Sequence, residues 1–172
     1  AVAVPSLDAL VGAGFDVVAV LTRPDAPLGR KRVLTPSPVA ARAAELGIEV
    51  IHAAKVDAGV TARIAAAAPD VAAIVAYGGL IPPAALAVPR HGWVNLHFSL
   101  LPAWRGAAPV QRAVIAGDDV TGAVTFRLEE GLDTGPVFGT LTESVHPADT
   151  AGALLERLSH SGGVLLAQTL SA

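Results

Sequence analysis

Three residues of this sequence carry the side chains needed to move charge around a carbonyl group: Asn95, His97 and Asp133. The first two lie in the stretch Trp93-Val94-Asn95-Leu96-His97-Phe98-Ser99-Leu100-Leu101-Pro102. Side chains alternate between the faces of a strand, so an extended Trp93 to His97 sets Asn95 beside His97 and turns Val94 and Leu96 the other way. An amide donates two hydrogen bonds toward a developing oxyanion, and an imidazole donates another or shuttles a proton near neutrality. Asp133 stands in Gly131-Leu132-Asp133-Thr134-Gly135, where the flanking glycines predict a turn that presents its carboxylate outside any regular element. A carboxylate close to His97 favours the imidazolium form and completes a proton-transfer set. The same residues admit plainer readings. An Asn and a His on one strand face also serve as satisfied structural polar groups, and Asp favours turns for its own backbone hydrogen bonds. At the level of the residues both readings stand.

The elements around these residues read as α/β. A short helix over Pro5 to Val11 leads to Phe15 to Leu21, a continuous apolar run of the kind that forms a strand covered on both faces. Thr22 to Pro36 reads as a long irregular surface loop. Ser37 and Pro38 open a helix that Gly47 ends, and Ile48 to Ile51 is a short strand. Asp57 caps a helix that must stop by Pro69, and Val71 to Ala76 is a buried strand ending in Tyr77-Gly78-Gly79. Pro82 and Pro83 start a short helix to Leu86, and Pro109 to Ala116 forms another. Thr121 to Leu128 and Pro136 to Val145 make a hairpin-like pair. Thr150 caps a last helix, which Gly162-Gly163 is expected to interrupt. The pattern predicts one α/β domain with a doubly wound, mostly parallel sheet and an antiparallel addition near the C-terminal end. Ligands of such sheets sit beyond the carboxyl ends of the strands, where Tyr77 and the Asn95/His97 pair both fall.

Composition sets the outer limits. The 172 residues are 52% hydrophobic, with a mean hydropathy of +0.55, which suits a folded domain and argues against disorder. No run reaches the roughly 18 to 20 apolar residues of a membrane helix. The absence of cysteine excludes disulfides, thiol catalysis and thiolate metal sites within these residues. His52, His91, His146 and His160 have no metal-ligand spacing, so no metal is expected. Gly12 and Gly14 fail the dinucleotide fingerprint because Val17 stands where the third glycine belongs. The first residues show no basic start before an apolar run, and the expectation is a cytoplasmic monomer. A net charge of −3 makes no general case for nucleic acid, although Arg30-Lys31-Arg32 is a local basic cluster.

Asn95 to Pro102, followed by Trp104-Arg105-Gly106 and then by Gly131 to Gly135, resembles the formyltransferase family that uses 10-formyltetrahydrofolate. Further motifs narrow the resemblance to the branch whose acceptor is methionyl initiator tRNA. These are Arg23-Pro24-Asp25, Gly29-Arg30 through to Pro36-Ser37-Pro38-Val39, Val75-Ala76-Tyr77-Gly78, and Gly106-Ala107-Ala108-Pro109-Val110-Gln111-Arg112. The resemblance implies a Rossmann-like formyltransferase fold and a catalytic trio of Asn95, His97 and Asp133, with Asp133 holding His97 charged. It places the folate against Tyr77, Gly78, Leu80, Ile81, Pro82, Leu101, Pro102 and Arg127, mostly through backbone. It assigns tRNA contact to Arg30, with Lys31 and Arg32 beside it. Residues 1–172 are then expected to be the catalytic domain. The family's first strand with its Gly-Thr-Pro-type loop, and the C-terminal β-barrel of the tRNA enzymes, have no counterpart in these residues. Gly79 followed by Leu80 departs from the family pattern of one glycine and bulkier apolar residues. Three alternatives stay open at this stage: another amine acceptor such as glycinamide ribonucleotide or an amino sugar nucleotide, hydrolysis of the same folate, or a non-catalytic module.

Overall fold

The computed structural model describes all 172 residues. In chain order they form α1 (Val4–Gly12), β1 (Ala19–Thr22), β2 (Ala26–Leu28), β3 (Val33–Thr35), α2 (Pro38–Glu45), β4 (Glu49–His52), α3 (Ala58–Ala67), β5 (Ala72–Val75), α4 (Pro83–Leu86), β6 (Trp93–His97), α5 (Pro109–Ala116), β7 (Val120–Arg127), β8 (Val137–Ser144) and α6 (Ala151–Ser171). Three helices start where a side chain satisfies a free backbone donor of the first turn. Ser37 Oγ accepts from the Ala40 N–H at 3.2 Å, Asp57 Oδ1 from Val60 at 2.9 Å and Thr150 Oγ1 from Ala153 at 3.2 Å. Each such cap contributes about 1 kcal/mol. Gly117 ends α5 with φ +74°, a conformation that costs glycine little.

Two parallel pairs and an antiparallel extension make up the sheet layer. β1 lies parallel to β4, with Ala19 opposite Glu49 and Thr22 opposite His52. β5 lies parallel to β6, with Ala72 opposite Trp93 and Val75 opposite Leu96. β7 then pairs antiparallel with β6, and β8 antiparallel with β7, as the strand-like pair in the sequence suggested. The spatial order is β5-β6-β7-β8, and no ladder joins β5 to β1. Between those two strands runs a cleft of about 810 Å³ with a mostly apolar lining that includes Leu21, Ile74 and Trp93.

The core clamps β6 from both sides. Val94, Leu96 and Phe98 pack with Leu154, Leu158 and Leu166 of α6, Val110 of α5 and Ala123 of β7. On the other face, Trp93 joins Val56, Ile64, Ile74 and Ala85, and its indole N–H donates to the Ala85 carbonyl at 2.9 Å. Burying a side chain of this size is worth about 1.5–3 kcal/mol, so the position of β6 is strongly determined.

Three expectations need correction. The apolar run Phe15 to Leu21 is a strand only from Ala19 onward. Gly14 and Phe15 instead bond back to Val11 and Leu10 at the end of α1, and Val18 is 41% exposed. The segment Thr22 to Pro36 is not irregular: β2 and β3 form a hairpin, Leu28 opposite Val33, with Gly29 to Arg32 as its tip. α6 runs through Gly162-Gly163 without a break. A Cβ on Gly162 would stand 3.1 Å from Leu96 and 3.3 Å from Phe98, and one on Gly163 would stand 3.0 Å from the Pro5 carbonyl oxygen. The pair gives room to β6 on one side and α1 on the other.

Candidate active site

β6 places Asn95 and His97 on the face opposite Val94 and Leu96, as strand alternation requires. Asn95 stays partly exposed, and its carboxamide takes no hydrogen bond within the chain. His97 is 8% exposed, with its ring edge-on to Phe126 of β7 at 6.4 Å between centroids. The loop between β7 and β8 brings Asp133 across, its Oδ2 3.8 Å from His97 Nδ1. The carboxylate lies outside any regular element, as the glycines suggested, yet its side chain is only 10% exposed. Gly135 makes that loop shape possible, because a Cβ there would overlap the Arg127 carbonyl oxygen.

A connection that sequence reasoning passed over lies in the corner Trp104-Arg105-Gly106. His97 Nε2 stands 3.0 Å from the Trp104 carbonyl oxygen, and the Gly106 N–H donates to Asp133 Oδ2 at 2.7 Å. Because a carbonyl can only accept, Nε2 carries the proton in that bond, and Nδ1 is the edge turned toward Asp133. One tripeptide thus holds both partners through its backbone. Gly106 has φ +82°, and Trp104 has φ +56°, a left-handed conformation that costs a residue with a Cβ about 1–2 kcal/mol. The buried Ser99 hydroxyl steadies the same loop by donating to the Ala103 carbonyl at 2.6 Å.

At the carboxyl end of β5 the backbone turns sharply, with φ +51° at Ala76 and +74° at Gly78. The Tyr77 ring packs toward the cluster around Trp93, and its hydroxyl is buried without a partner. Burial pushes that phenol above its ordinary range. Gly79 has a local reason here, since a Cβ would come within 2.6 Å of the Tyr77 ring. Tyr77 and Ile81 line the cleft between β1 and β5, while Leu80 is 91% exposed. Leu101 is partly exposed and Pro102 exposed on the loop after β6. Arg127 is exposed at the end of β7, its side chain passing Gly92. Arg30, Lys31 and Arg32 stand at the tip of the β2–β3 hairpin, all exposed and without an acidic partner in the chain. The molecule has no helix long and apolar enough to cross a membrane. It gathers no group of three or more His, Asp or Glu side chains suited to a metal.

Comparison with known proteins gives the arrangement a family. The family model described as formyl transferase matches residues 5–170. The chain belongs to the formyl transferase family. Among curated members of this family, the methionyl-tRNA formyltransferase of Arthrobacter sp. (strain FB24) is 91% identical over 172 residues, all of this chain and 56% of that protein. The methionyl-tRNA formyltransferase of Salinispora tropica is 63% identical, again over all of this chain and 56% of its own length. The chain therefore spans just over half the length of these relatives. Among solved structures, phosphoribosylglycinamide formyltransferase from Bacillus halodurans superposes with a TM-score of 0.81 at 23% identity, covering 96% of this chain and 87% of the other. A formyltetrahydrofolate deformylase from Pseudomonas syringae pv. tomato gives a TM-score of 0.77 at 21% identity, covering 96% and 56%. These structural likenesses establish the formyltransferase fold, α/β with mixed sheets, which is the class expected from the sequence.

Proposed function

We propose that residues 1–172 act as the catalytic domain of an enzyme that moves the formyl group of 10-formyltetrahydrofolate to the α-amino group of methionyl initiator tRNA. The observation that carries this reading is the trio. An unpartnered, partly exposed carboxamide stands two residues from a buried imidazole that faces a mostly buried carboxylate.

The geometry suits acyl transfer. The acceptor amine forms a bond to the formyl carbon while the carbonyl π pair moves onto oxygen. The Asn95 amide donates to that oxygen, and a protonated His97 adds a second donor through Nδ1, the ring atom not engaged by Trp104. Asp133 supplies the opposing negative charge and accepts the proton that the amine loses. The oxygen pair then re-forms the carbonyl, the bond from the formyl carbon to the donor nitrogen breaks, and that nitrogen takes the proton. One feature of the strand ends supports a folate there. Gly78, Gly79 and Leu80 are exposed past the end of β5, and the Tyr77 ring packs against Gly79 and toward the Trp93 cluster, leaving the outer edge of this turn free.

The choice of acceptor rests on two supports. Relatives named methionyl-tRNA formyltransferase reach 91% identity. The hairpin tip carries three exposed cations suited to phosphate. Incubation with 10-formyltetrahydrofolate and each acceptor in turn tests the reading by release of free folate. Release with Met-tRNA alone is the expected result. Release without any acceptor points to a hydrolase, release with glycinamide ribonucleotide or an amino sugar nucleotide to another branch, and no release in any arm to a non-catalytic module.

A further inference from the structure

Trp104 makes a bond that the site as described does not use. Its indole Nε1–H donates to Asp118 Oδ2 at 2.7 Å. Asp118 lies just past α5, where Gly117 turns the chain at φ +74° and the Asp118 N–H bonds back to the Ala113 carbonyl. The acid is thereby tied to a helix end, and its carboxylate accepts no other hydrogen bond within the chain. Both Trp104 and Asp118 are partly buried. Trp104 holds φ +56°, a backbone state that a residue with a Cβ keeps only when its surroundings impose it. In that state its carbonyl oxygen reaches His97 Nε2 at 3.0 Å, and two residues on the Gly106 N–H reaches Asp133.

We propose that Asp118 is a positioning residue for His97: by gripping the Trp104 indole it holds the left-handed turn whose carbonyl fixes the proton on Nε2 and leaves Nδ1 facing Asp133. A neutral imidazole has two tautomers, and the partner of one nitrogen decides which is present. Here that partner is a main-chain oxygen, so the tautomer depends on a backbone conformation, and the conformation depends on an acid that touches neither His97 nor the reacting groups. The role of Asp118 toward the ring stands on this geometry. Its effect on rate rests additionally on the formyl-transfer reading above.

The test uses the full-length protein with ¹⁵N-labelled histidine rings, the His97 signals being assigned by their loss in His97→Gln. The spectra are recorded at a pH high enough to leave the ring neutral, where the wild type is expected to show the Nε2-protonated form with a slowly exchanging proton, so that Nδ1 is the nitrogen that gains a proton when the ring becomes charged. Asp118→Ala and Trp104→Phe, which each remove one end of the bond, should give mixed tautomers and a rapidly exchanging proton. Both should lower kcat by about ten- to a hundredfold, the scale of a misplaced catalytic group, with little change in KM for the formyl donor. Asp118→Asn keeps an oxygen that accepts the indole N–H, and should restore both the spectrum and the rate. A wild-type His97 spectrum in folded Asp118→Ala or Trp104→Phe, whatever the change in melting temperature, would overturn the proposal by reducing the bond to a fold staple. Trp104→Phe keeps an aromatic ring in place and so remains informative if Asp118→Ala does not fold. An altered spectrum with an unaltered rate would uphold the positioning role and count against His97 in the transfer reaction, so the two readings fail separately.

Discussion

The half of the molecule built from β5 to β8 with α5 and α6 contrasts with the half built from β1 to β4. In the first, β6 is buried at every position but Asn95, and β7 is buried from Thr121 to Phe126. In the second, two small sheets stand apart, and Leu28, Val33 and Leu34 of the hairpin are 60–66% exposed. The buried half holds Asn95, His97 and Asp133, whose proposed chemistry depends on fixed donor positions. The open half holds Arg30, Lys31 and Arg32, whose proposed task is to meet a large charged partner. The packing suits the two proposed tasks: tenths of an ångström matter for an oxyanion, and much less so for a phosphate met at a hairpin tip.

On that division the largest effects belong to the buried half. Asn95→Ala should lower kcat by about 10²–10³-fold through loss of an oxyanion donor, and His97→Ala or Asp133→Asn by at least roughly a hundredfold. Unchanged circular dichroism should accompany each, and more than about a tenth of the wild-type rate in any of them would remove that residue from the trio. Gly135→Ala comes next. The methyl cannot coexist with the Arg127 carbonyl oxygen, so the loop must shift and carry Asp133 with it. A fall in kcat of roughly tenfold is expected, since small misplacements are costly. An intact rate would mean that the loop need not be rigid.

In the open half, Arg30→Ala should raise KM for tRNA a few-fold and make the salt dependence of binding shallower by about one unit in the log–log slope, leaving folate affinity alone. Equal damage to both substrates would erase the contrast between the halves. The smallest effect concerns how the buried half is fastened at its rim. Arg157 donates to both oxygens of Asp149, and the His146 N–H adds a third bond. The Arg157 bonds first, and the His146 bond second, hold the Asp149 carboxyl well below the usual range. A depressed carboxylate contributes stability that is complete above its unfolded value near about 4 and is lost as pH falls below it. The melting-temperature deficit of Arg157→Leu should therefore be largest at neutral pH and shrink under acid. A deficit that is constant with pH would assign the effect to packing.

Much of the buried half was legible in the sequence because its signals are side-chain signals. Asn95 and His97 at a spacing of two announce a shared strand face, and Thr150 announces the start of α6. The hairpin was not legible, since two three-residue strands, the first with Pro27 at its centre, leave no periodicity to detect. Nor was the shortened β1, because the run Phe15 to Leu21 records apolarity and says nothing about Phe15 bonding back to α1. The corner at Trp104 and Gly106 was invisible for a deeper reason. It acts on His97 and Asp133 through a carbonyl and an N–H, groups that nearly every residue possesses.

Gly162 sits on the far side of β6 from Asn95 and His97, and what it contributes is the absence of a methyl group. Leu96 and Phe98, the neighbours of His97 in sequence, lean into the space a side chain there would fill. The freedom of α6 to vary is thus rationed by the strand it covers. A change at this position would displace the strand that carries Asn95 and His97, so the candidate site inherits a constraint from a residue that has no side chain at all.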